Sequence, residues 1–408
     1  MTASTIVIVG ASLAGATAAA TLREEGFEGR VVLVGEESQL PYERPPLSKE
    51  YLRGEQPFET ALVHREGFYQ AEGIETRFGV RASRVNSSDR VVELDDGERI
   101  PYDKVLVATG SRKRRLPVPG ADLEGVFDLR TVADADRIRA EVAPGRRAVL
   151  VGMGFIGAEV AASLRQLGLE VAVVAPGELP LSRVLGREVG RVLGDIHRDH
   201  GVEMHFGERV SALEGSQRVE AVRTTGGQTL PCDLVVAGIG VQPVTEVVAE
   251  AGAEVEDGIV VDELCRTTVE GIYAAGDVTS HYHPLFGRRM RVEHWNHALR
   301  HGAAAARSML GKGTPYVEVP WFWSDQYDHN LQYAGFHTGE EEMVVRGSLA
   351  DRSFVVFFLR QGIVVAAAAL DRGRDLRRAM ELISGGAPVD ADLLRDEGVD
   401  LRALTNST

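Results

Sequence analysis

Cysteine is nearly missing from this chain: only Cys232 and Cys265 occur in 408 residues, far apart and without a C-x-x-C. That scarcity excludes a disulfide framework and a cysteine metal knuckle, and it points to a reducing compartment. Cationic charge is also short. Lys and Arg total 45 against 60 for Asp and Glu, so the formal charge is 45 − 60 = −15. Such a surface repels nucleic-acid phosphates and anionic membrane faces, and no nucleic-acid partner is expected. No apolar run is long enough to span a bilayer. The stretch Ile6 to Leu22 resembles a signal-peptide core, but no Lys or Arg precedes it and a Gly-rich pattern interrupts it. It reads instead as a buried strand followed by a helix, in a cytoplasmic protein. The 11 histidines form no H-x-x-x-H pair accompanied by carboxylates, so no metal site is expected.

What is present is ordinary in bulk and specific in pattern. Hydrophobic residues make up 44% and charged residues 26%, as in a globular protein, and the length predicts two or three domains. Two segments repeat one plan. In the first, Thr5 to Val9 precedes Gly10-Ala11-Ser12-Leu13-Ala14-Gly15, then an Ala-rich helix closing near Gly26, then Val31 to Val34. In the second, Ala148 to Val151 precedes Gly152-Met153-Gly154-Phe155-Ile156-Gly157, then a helix closing near Gly168, then Val171 to Val174. Each is a βαβ unit of a parallel sheet.

Between and after these units the turn signals mark strand-rich stretches, such as Val91 to Leu94 before Asp95-Asp96-Gly97, and the region Glu203 to Gly240. From about Pro320 the character changes. Phe354 to Leu359 and Ile363 to Leu370, joined by Arg360-Gln361-Gly362, predict a hairpin, and Asp375 to Ile383 a helix. The predicted fold is α/β, with two Rossmann-like nucleotide-binding domains, one inserted in the other, plus a mixed α/β C-terminal domain. Their predicted bounds are 1–112 with 241–318, 113–240, and 319–408.

The glycine turns carry the chemistry. A pyrophosphate needs backbone N–H groups at a helix N-terminus, where the macrodipole favours anions. The first glycine makes the turn, the second admits the phosphates and the third lets helix and strand pack closely. Gly152, Gly154 and Gly157 satisfy all three demands, whereas Ser12 takes the middle place between Gly10 and Gly15. One such turn alone is as readily structural as functional; two, each between strand and helix, predict two dinucleotide sites. An acid after the second strand grips the adenosine ribose. Glu36 stands there in the first unit, with Glu37 beside it, but the second has Ala175-Pro176-Gly177 and Glu178 as its nearest acid.

Five further stretches, in order along nearly the whole chain, resemble the FAD-dependent ferredoxin reductases of oxygenase systems, within the glutathione-reductase-like flavoproteins. They are Pro41-Tyr42-Glu43-Arg44-Pro45-Pro46-Leu47-Ser48-Lys49, Val107-Ala108-Thr109-Gly110, Tyr273-Ala274-Ala275-Gly276-Asp277-Val278, Glu293-His294-Trp295 and Pro320-Trp321-Phe322-Trp323-Ser324-Asp325-Gln326. Each has a plainer structural explanation: a proline-stiffened extended loop with a cation at either end, a turn after a strand, a helix cap, core tryptophans. The resemblance implies an NAD(P)H:ferredoxin oxidoreductase that binds FAD and NADH, with NADPH as the alternative, and passes electrons to a [2Fe–2S] ferredoxin. It places Gly10, Ser12, Leu13, Ala14, Gly15, Glu36, Arg44, Pro45, Ala108, Thr109, Gly110, Arg130, Gly276 and Asp277 along FAD. Lys49, Trp323 and the Glu293-His294-Trp295 stretch would surround the flavin ring. Gly152, Gly154, Phe155, Ile156, Gly157, Gly238, Ile239, Gly240 and Arg183 would meet the nicotinamide nucleotide. Lys49 and Glu159 are the implied catalytic pair, holding the nicotinamide; a helix-start glutamate is the bland alternative for Glu159.

Flavoproteins of this architecture often relay electrons through cysteine, and the Arg44 to Lys49 loop has none. Electrons must then leave the flavin directly, which suits a one-electron iron–sulfur acceptor. A ferredoxin is usually acidic, so a local basic patch is expected, from Arg288, Arg289 and Arg291 or from Arg300 and Arg307. Two rivals stay open: a rubredoxin or quinone reductase, and an FAD- and NADH-binding redox sensor of the apoptosis-inducing-factor type. Oligomeric state, monomer or homodimer, leaves no trace in the sequence.

Overall fold

Ile6 to Val9 are fully buried because their strand, Thr5–Val9, is the middle of a five-stranded parallel sheet. The computed structural model describes residues 4–405. They divide into two units, 4–43 with Phe58–Arg112 and Val241–Pro320, and Arg44–Pro57 with Lys113–Gly240 and 321–405.

In the first unit the sheet runs Ile272–Ala274, Lys104–Val107, Thr5–Val9, Arg30–Gly35, Ile74–Phe78, all parallel. Its strands are continuous apolar runs because both faces are covered. Helix Leu13–Glu24 covers one face and lies against helix Trp295–Met309. The approach is close enough that a Cβ on Gly302 would stand 2.3 Å from the Ala14 carbonyl oxygen, which explains a glycine on a buried helix face. A three-stranded antiparallel sheet, Ala82–Asn86, Val91–Leu94 and Arg99–Pro101, and a four-stranded one built on Gly258–Val261 and Thr279–His283 complete the unit.

The second unit repeats the plan. Its parallel sheet runs Val202–Phe206, Glu170–Ala175, Arg147–Val151, Leu234–Ala237, Val126–Asp128. Helices Leu13–Glu24 and Phe155–Gln166 both stop two residues before a glycine of positive φ, Gly26 at 83° and Gly168 at 86°, as left-handed C-terminal caps require. The same unit holds an antiparallel sheet ordered Trp321–Gln326, His329–Gly335, Ile363–Leu370, Ser353–Arg360, Glu342–Ser348. Helix Arg187–Asp199 buries Val189, Leu193 and Ile196 against Phe322, Tyr333, Phe354 and Val356 of that sheet. This is the α/β class expected, two Rossmann-like folds and a mixed C-terminal part.

Local details differ from the sequence-based expectation. The predicted hairpin closes on two residues, not three, because Arg360 pairs with Ile363 and leaves Gln361 (φ 53°) and Gly362 (φ 78°) as the turn. Two positive φ values match the right-handed strand twist. The helix predicted from Asp375 begins two residues earlier and spans Gly373–Gly385. The proline stretch is not extended: Pro45–Ser48 forms a 3₁₀ turn, with Leu47 N–H donating to Arg44 O at 3.0 Å. A proline φ near −65° suits either conformation, and these backbone bonds choose the tighter one.

Gly302→Val should lower the thermal unfolding midpoint of the protein, at a cost of about 1–3 kcal/mol, because the strain falls on backbone atoms that cannot step aside. An unchanged melting curve would mean the two helices separate freely.

Candidate functional site

The first unit assembles its expected residues around one turn. Gly10 has φ 114°, and a Cβ there would stand 2.2 Å from the Ala108 oxygen; one on Gly15 would stand 1.9 Å from the Gly10 oxygen. A side chain on Gly10 would drive the turn off the Ala108 carbonyl, and one on Gly15 would drive the helix off the turn. Ser12 is the helix N-cap in extended conformation, yet its hydroxyl caps nothing, and no acid occupies the first turn. The N-terminal N–H groups, with Leu13 and Ala14 leading the helix, therefore keep no side-chain partner, the condition an incoming phosphate needs. Glu36 is exposed immediately beyond strand Arg30–Gly35.

Ala108-Thr109-Gly110 follow strand Lys104–Val107. Thr109 donates its hydroxyl to the Val244 oxygen at 2.6 Å, and Val244 N–H returns a bond to the Gly110 oxygen at 3.0 Å. Gly276 (φ 77°) lies against the same helix start: a Cβ would stand 3.1 Å from that of Ala14. The Gly276 N–H donates to His301 Nδ1 at 3.2 Å, and Ser111 donates to the Asp277 carboxylate at 3.4 Å. His294 stands at the N-cap position of helix Trp295–Met309 without a side-chain cap bond, and burial pushes its pKa down to about 4 against the pull of Asp277. Burial raises the pKa of the half-buried Glu43 against the pull of the Trp295 indole, while Glu293 pairs with Arg291. Gly10, Ser12, Ala108, Gly276 and Asp277 thus gather at the C-terminal ends of the parallel strands, where α/β sheets bind ligands.

In the second unit the matching turn is stricter. A Cβ on Gly152 would stand 2.5 Å from the Gly238 oxygen, and one on Gly157 2.4 Å from the Gly152 oxygen. A Cβ on Gly154 would meet nothing within 4 Å, so the glycine there answers to something other than packing within the chain. Gly154 caps helix Phe155–Gln166 without a side chain, and no acid lies in its first turn. Phe155 packs edge-on against Phe322 at 4.4 Å, while Ile156 is 45% exposed. Gly238 donates to the Val151 oxygen at 2.8 Å, and Ile239 and Gly240 follow. Arg183 is exposed, and Glu178 is held by Arg187 at 2.6 Å.

The same unit buries an ion pair. Lys49 follows the proline turn, and Glu159 lies in helix Phe155–Gln166; each is 4% exposed. Lys49 Nζ stands 3.7 Å from Glu159 Oε1 and 3.5 Å from Asp325 Oδ2, and 5.3 Å over the Trp323 ring. Ser48 donates to Glu159 Oε2 at 2.5 Å and Ser324 to Oε1 at 2.7 Å. Burial raises the Glu159 pKa, and Lys49, Ser48 and Ser324 oppose it. Trp323 donates its indole N–H to Asp325 at 3.0 Å, and Arg44 donates to the Arg130 carbonyl at 2.5 Å.

The family model described as pyridine nucleotide-disulphide oxidoreductase matches residues 4–302, and one described as reductase C-terminal matches 321–405. The chain belongs to this oxidoreductase family. A relative from Burkholderia cepacia, the ferredoxin–NAD(+) reductase component of an anthranilate 1,2-dioxygenase system, is 41% identical over 99% of this chain and 100% of its own. Putidaredoxin reductase of Pseudomonas putida is 36% identical over 98% and 96%. Among solved structures, a covalent putidaredoxin reductase–putidaredoxin complex matches with TM-score 0.97 and 35% identity, covering 100% of both chains. A ferredoxin reductase from Rhodopseudomonas palustris matches with TM-score 0.95 and 36% identity, covering 98% of this chain and 99% of its own.

Within this family the chain is set apart from disulphide chemistry. Both cysteines are buried and unpaired, and burial lifts the Cys232 thiol to about 12 and Cys265 higher. Among the described residues no helix is long and apolar enough to cross a membrane. Of the arginines considered for docking, Arg291 meets Asp257 at 3.0 Å, Arg307 meets Glu25 at 2.8 Å, and Arg289 reaches the Val261 carbonyl at 2.8 Å.

Sequence reasoning missed the partners of the pair, Ser48, Ser324 and Asp325, although each sits beside a quoted residue. It also missed His281, His283, His297 and His301, which form a buried cluster from an H-x-H on a strand and an H-x-x-x-H on a helix. The His281 and His297 rings stack at 4.8 Å, and among the described residues no group of three His, Cys, Asp or Glu could hold a metal ion.

Two glycine variants separate packing from binding. Gly154→Ala should leave thermal stability unchanged and weaken NADH binding by about tenfold or more, because its Cβ enters only the space before the helix N-terminus. Gly157→Ala should lose stability first. Equal NADH affinity of Gly154→Ala and the parent protein, by titration calorimetry, would exclude this turn as the phosphate site.

Proposed function

We propose that the chain is an FAD-dependent oxidoreductase that takes hydride from NADH and delivers single electrons to a [2Fe–2S] ferredoxin serving an oxygenase. One combination carries this reading: each unit offers its own glycine turn at a helix N-terminus without a side-chain cap, and both thiols are buried. Two nucleotides and no cysteine relay leave the flavin as the direct electron donor. The full-length relatives named as ferredoxin reductases support the same acceptor. Bound FAD supplies the conversion of a two-electron hydride into single electrons.

The chain's own residues bind and orient. The turn Gly10 to Gly15 receives the FAD pyrophosphate, Glu36 accepts the adenosine ribose hydroxyls, and Asp277 accepts a ribityl hydroxyl. The turn Gly152 to Gly157 receives the pyrophosphate of NADH. Glu159 and Lys49, presenting a carboxylate and an ammonium side by side, hold the nicotinamide amide, and positioning of this kind supplies much of the rate. Ala175 leaves the second adenosine site without an acid, and Glu178 is engaged by Arg187. NADH remains the proposed donor, and a lower KM for NADPH would overturn that choice. The protein works in the cytoplasm.

Anaerobic mixing with NADH followed by a panel of [2Fe–2S] ferredoxins tests the assignment. Fast bleaching of the flavin and fast reduction of one ferredoxin are expected; bleaching with no ferredoxin reduced would transfer the role to another acceptor or to a sensor. Glu159→Gln should slow flavin reduction at saturating NADH by roughly tenfold or more. A wild-type rate in that variant would remove Glu159 from the reaction.

A further inference from the structure

The Glu159 carboxylate is the end of a buried chain of polar groups that extends well beyond the ion pair. Ser324 donates to Glu159 Oε1 at 2.7 Å, and Gln326 Nε2 donates to the Ser324 oxygen at 3.1 Å. Gln326 Oε1 lies 2.9 Å from His197 Nε2, and His197 Nδ1 lies 3.1 Å from the Tyr327 hydroxyl. Ser324, Gln326 and His197 are each no more than 2% exposed.

Chemistry fixes the direction of every link. A charged carboxylate only accepts, so Ser324 must donate its one proton to it. The Ser324 oxygen then accepts from the Gln326 amide N–H, which turns the Gln326 oxygen toward His197. His197 must carry its proton on Nε2, leaving Nδ1 to accept from Tyr327. Burial holds His197 neutral, with a pKa lowered to about 4, so this single tautomer persists at neutral pH. Four aligned dipoles thus point their positive ends at Glu159, and links of such a chain polarise one another in the same sense.

The backbone bears the cost of the last link. Tyr327 sits in the two-residue turn between Gln326 and His329 at φ 58°, a region that bulky residues avoid. Its ring stacks on His200 at 3.6 Å, which holds the hydroxyl toward His197. Strain of this kind persists where the surroundings demand a particular residue.

We propose that Ser324, Gln326, His197 and Tyr327 are positioning residues that act in series to orient the Glu159 carboxylate and sustain its charge for nicotinamide binding. The proposal rests on the role given to Glu159 above. Other groups bear on the same carboxylate. Lys49 and Ser48 favour its charge, and Asp325 opposes it. On the far side Arg53 donates to Ser163, whose hydroxyl donates to the Ser48 carbonyl. Around His197 and Tyr327 the titratable neighbours are His200 and Arg165.

The test is the pH profile of NADH-driven flavin reduction in the holoenzyme at saturating NADH. Glu159 is active as the carboxylate, so the rate falls as pH drops through its pKa. Removing a donor from the charged form raises that pKa. Ser324→Ala, Gln326→Leu and His197→Phe should therefore each move the acid limb to higher pH, by roughly half a unit to one unit, with Ser324→Ala largest. Ser324→Thr and His197→Gln, which keep a donor, should return the limb toward wild type. Tyr327→Phe removes one oxygen at a turn, so it decides the matter if a core variant fails to fold; it should shift the limb in the same direction by less. Wild-type profiles in Gln326→Leu, His197→Phe and Tyr327→Phe would overturn the series. Persistence of the limb in Glu159→Gln would instead overturn Glu159 as the titrating group, and the two failures are told apart by that variant.

Discussion

A carboxylate removed from water must be compensated, and much of the second unit is arranged around that demand at Glu159. Burial penalises its charge, while Lys49 and two serine hydroxyls favour it. Removing one partner of such a buried pair typically costs about 3–5 kcal/mol, because the other charge stays behind without compensation. The carboxylate and its compensating groups come from three separate segments: helix Phe155–Gln166 holds Glu159, the proline turn supplies Ser48 and Lys49 follows it, and the strand Trp321–Gln326 supplies Ser324. Phe155 packs on Phe322 between that helix and that strand, and Ser163 donates to the Ser48 carbonyl between the helix and the proline turn.

A second constraint is the absence of side chains. Both units bring the carbonyl of the residue just after a neighbouring strand, Ala108 or Gly238, within 2.2 to 2.5 Å of where a Cβ on the first glycine of the turn would lie, at Gly10 and at Gly152. The turn can approach the end of the neighbouring strand so closely only over glycine, and the helix N-terminus that follows each turn has no side-chain cap. Ser12 and Gly154 are two answers at the middle position: a hydroxyl that caps nothing, and a bare backbone. The proposed function rests on two local geometries and one buried charge.

Much of this was legible in the chain itself. The βαβ units were readable because fully buried parallel strands are continuous apolar runs and because a left-handed cap or a close approach demands glycine. That no disulfide joins the two cysteines was readable from their separation and the missing C-x-x-C. The 3₁₀ turn was not, because proline fixes φ alone and leaves ψ to the hydrogen bonds made by Leu47 and Lys49. Nor was the two-residue hairpin at Gln361-Gly362, since pairing register depends on the partner strand. The polar partners of Glu159 stood in plain view within the quoted stretches. Serine and glutamine occur so often at surfaces that only burial distinguishes these copies.

Sequence by itself determined the two glycine turns between strand and helix, the glycines that permit them, the acid Glu36 after the first, and the missing acid after the second. These are local properties, set by backbone conformation within a few residues. Tertiary structure alone decided that Lys49, 110 positions from Glu159, stands 3.7 Å away from it, and that Ser324, Gln326, His197 and Tyr327 join in one direction behind it. A hydrogen bond depends on distance and angle between groups, and no periodicity records those for residues so far apart in the chain.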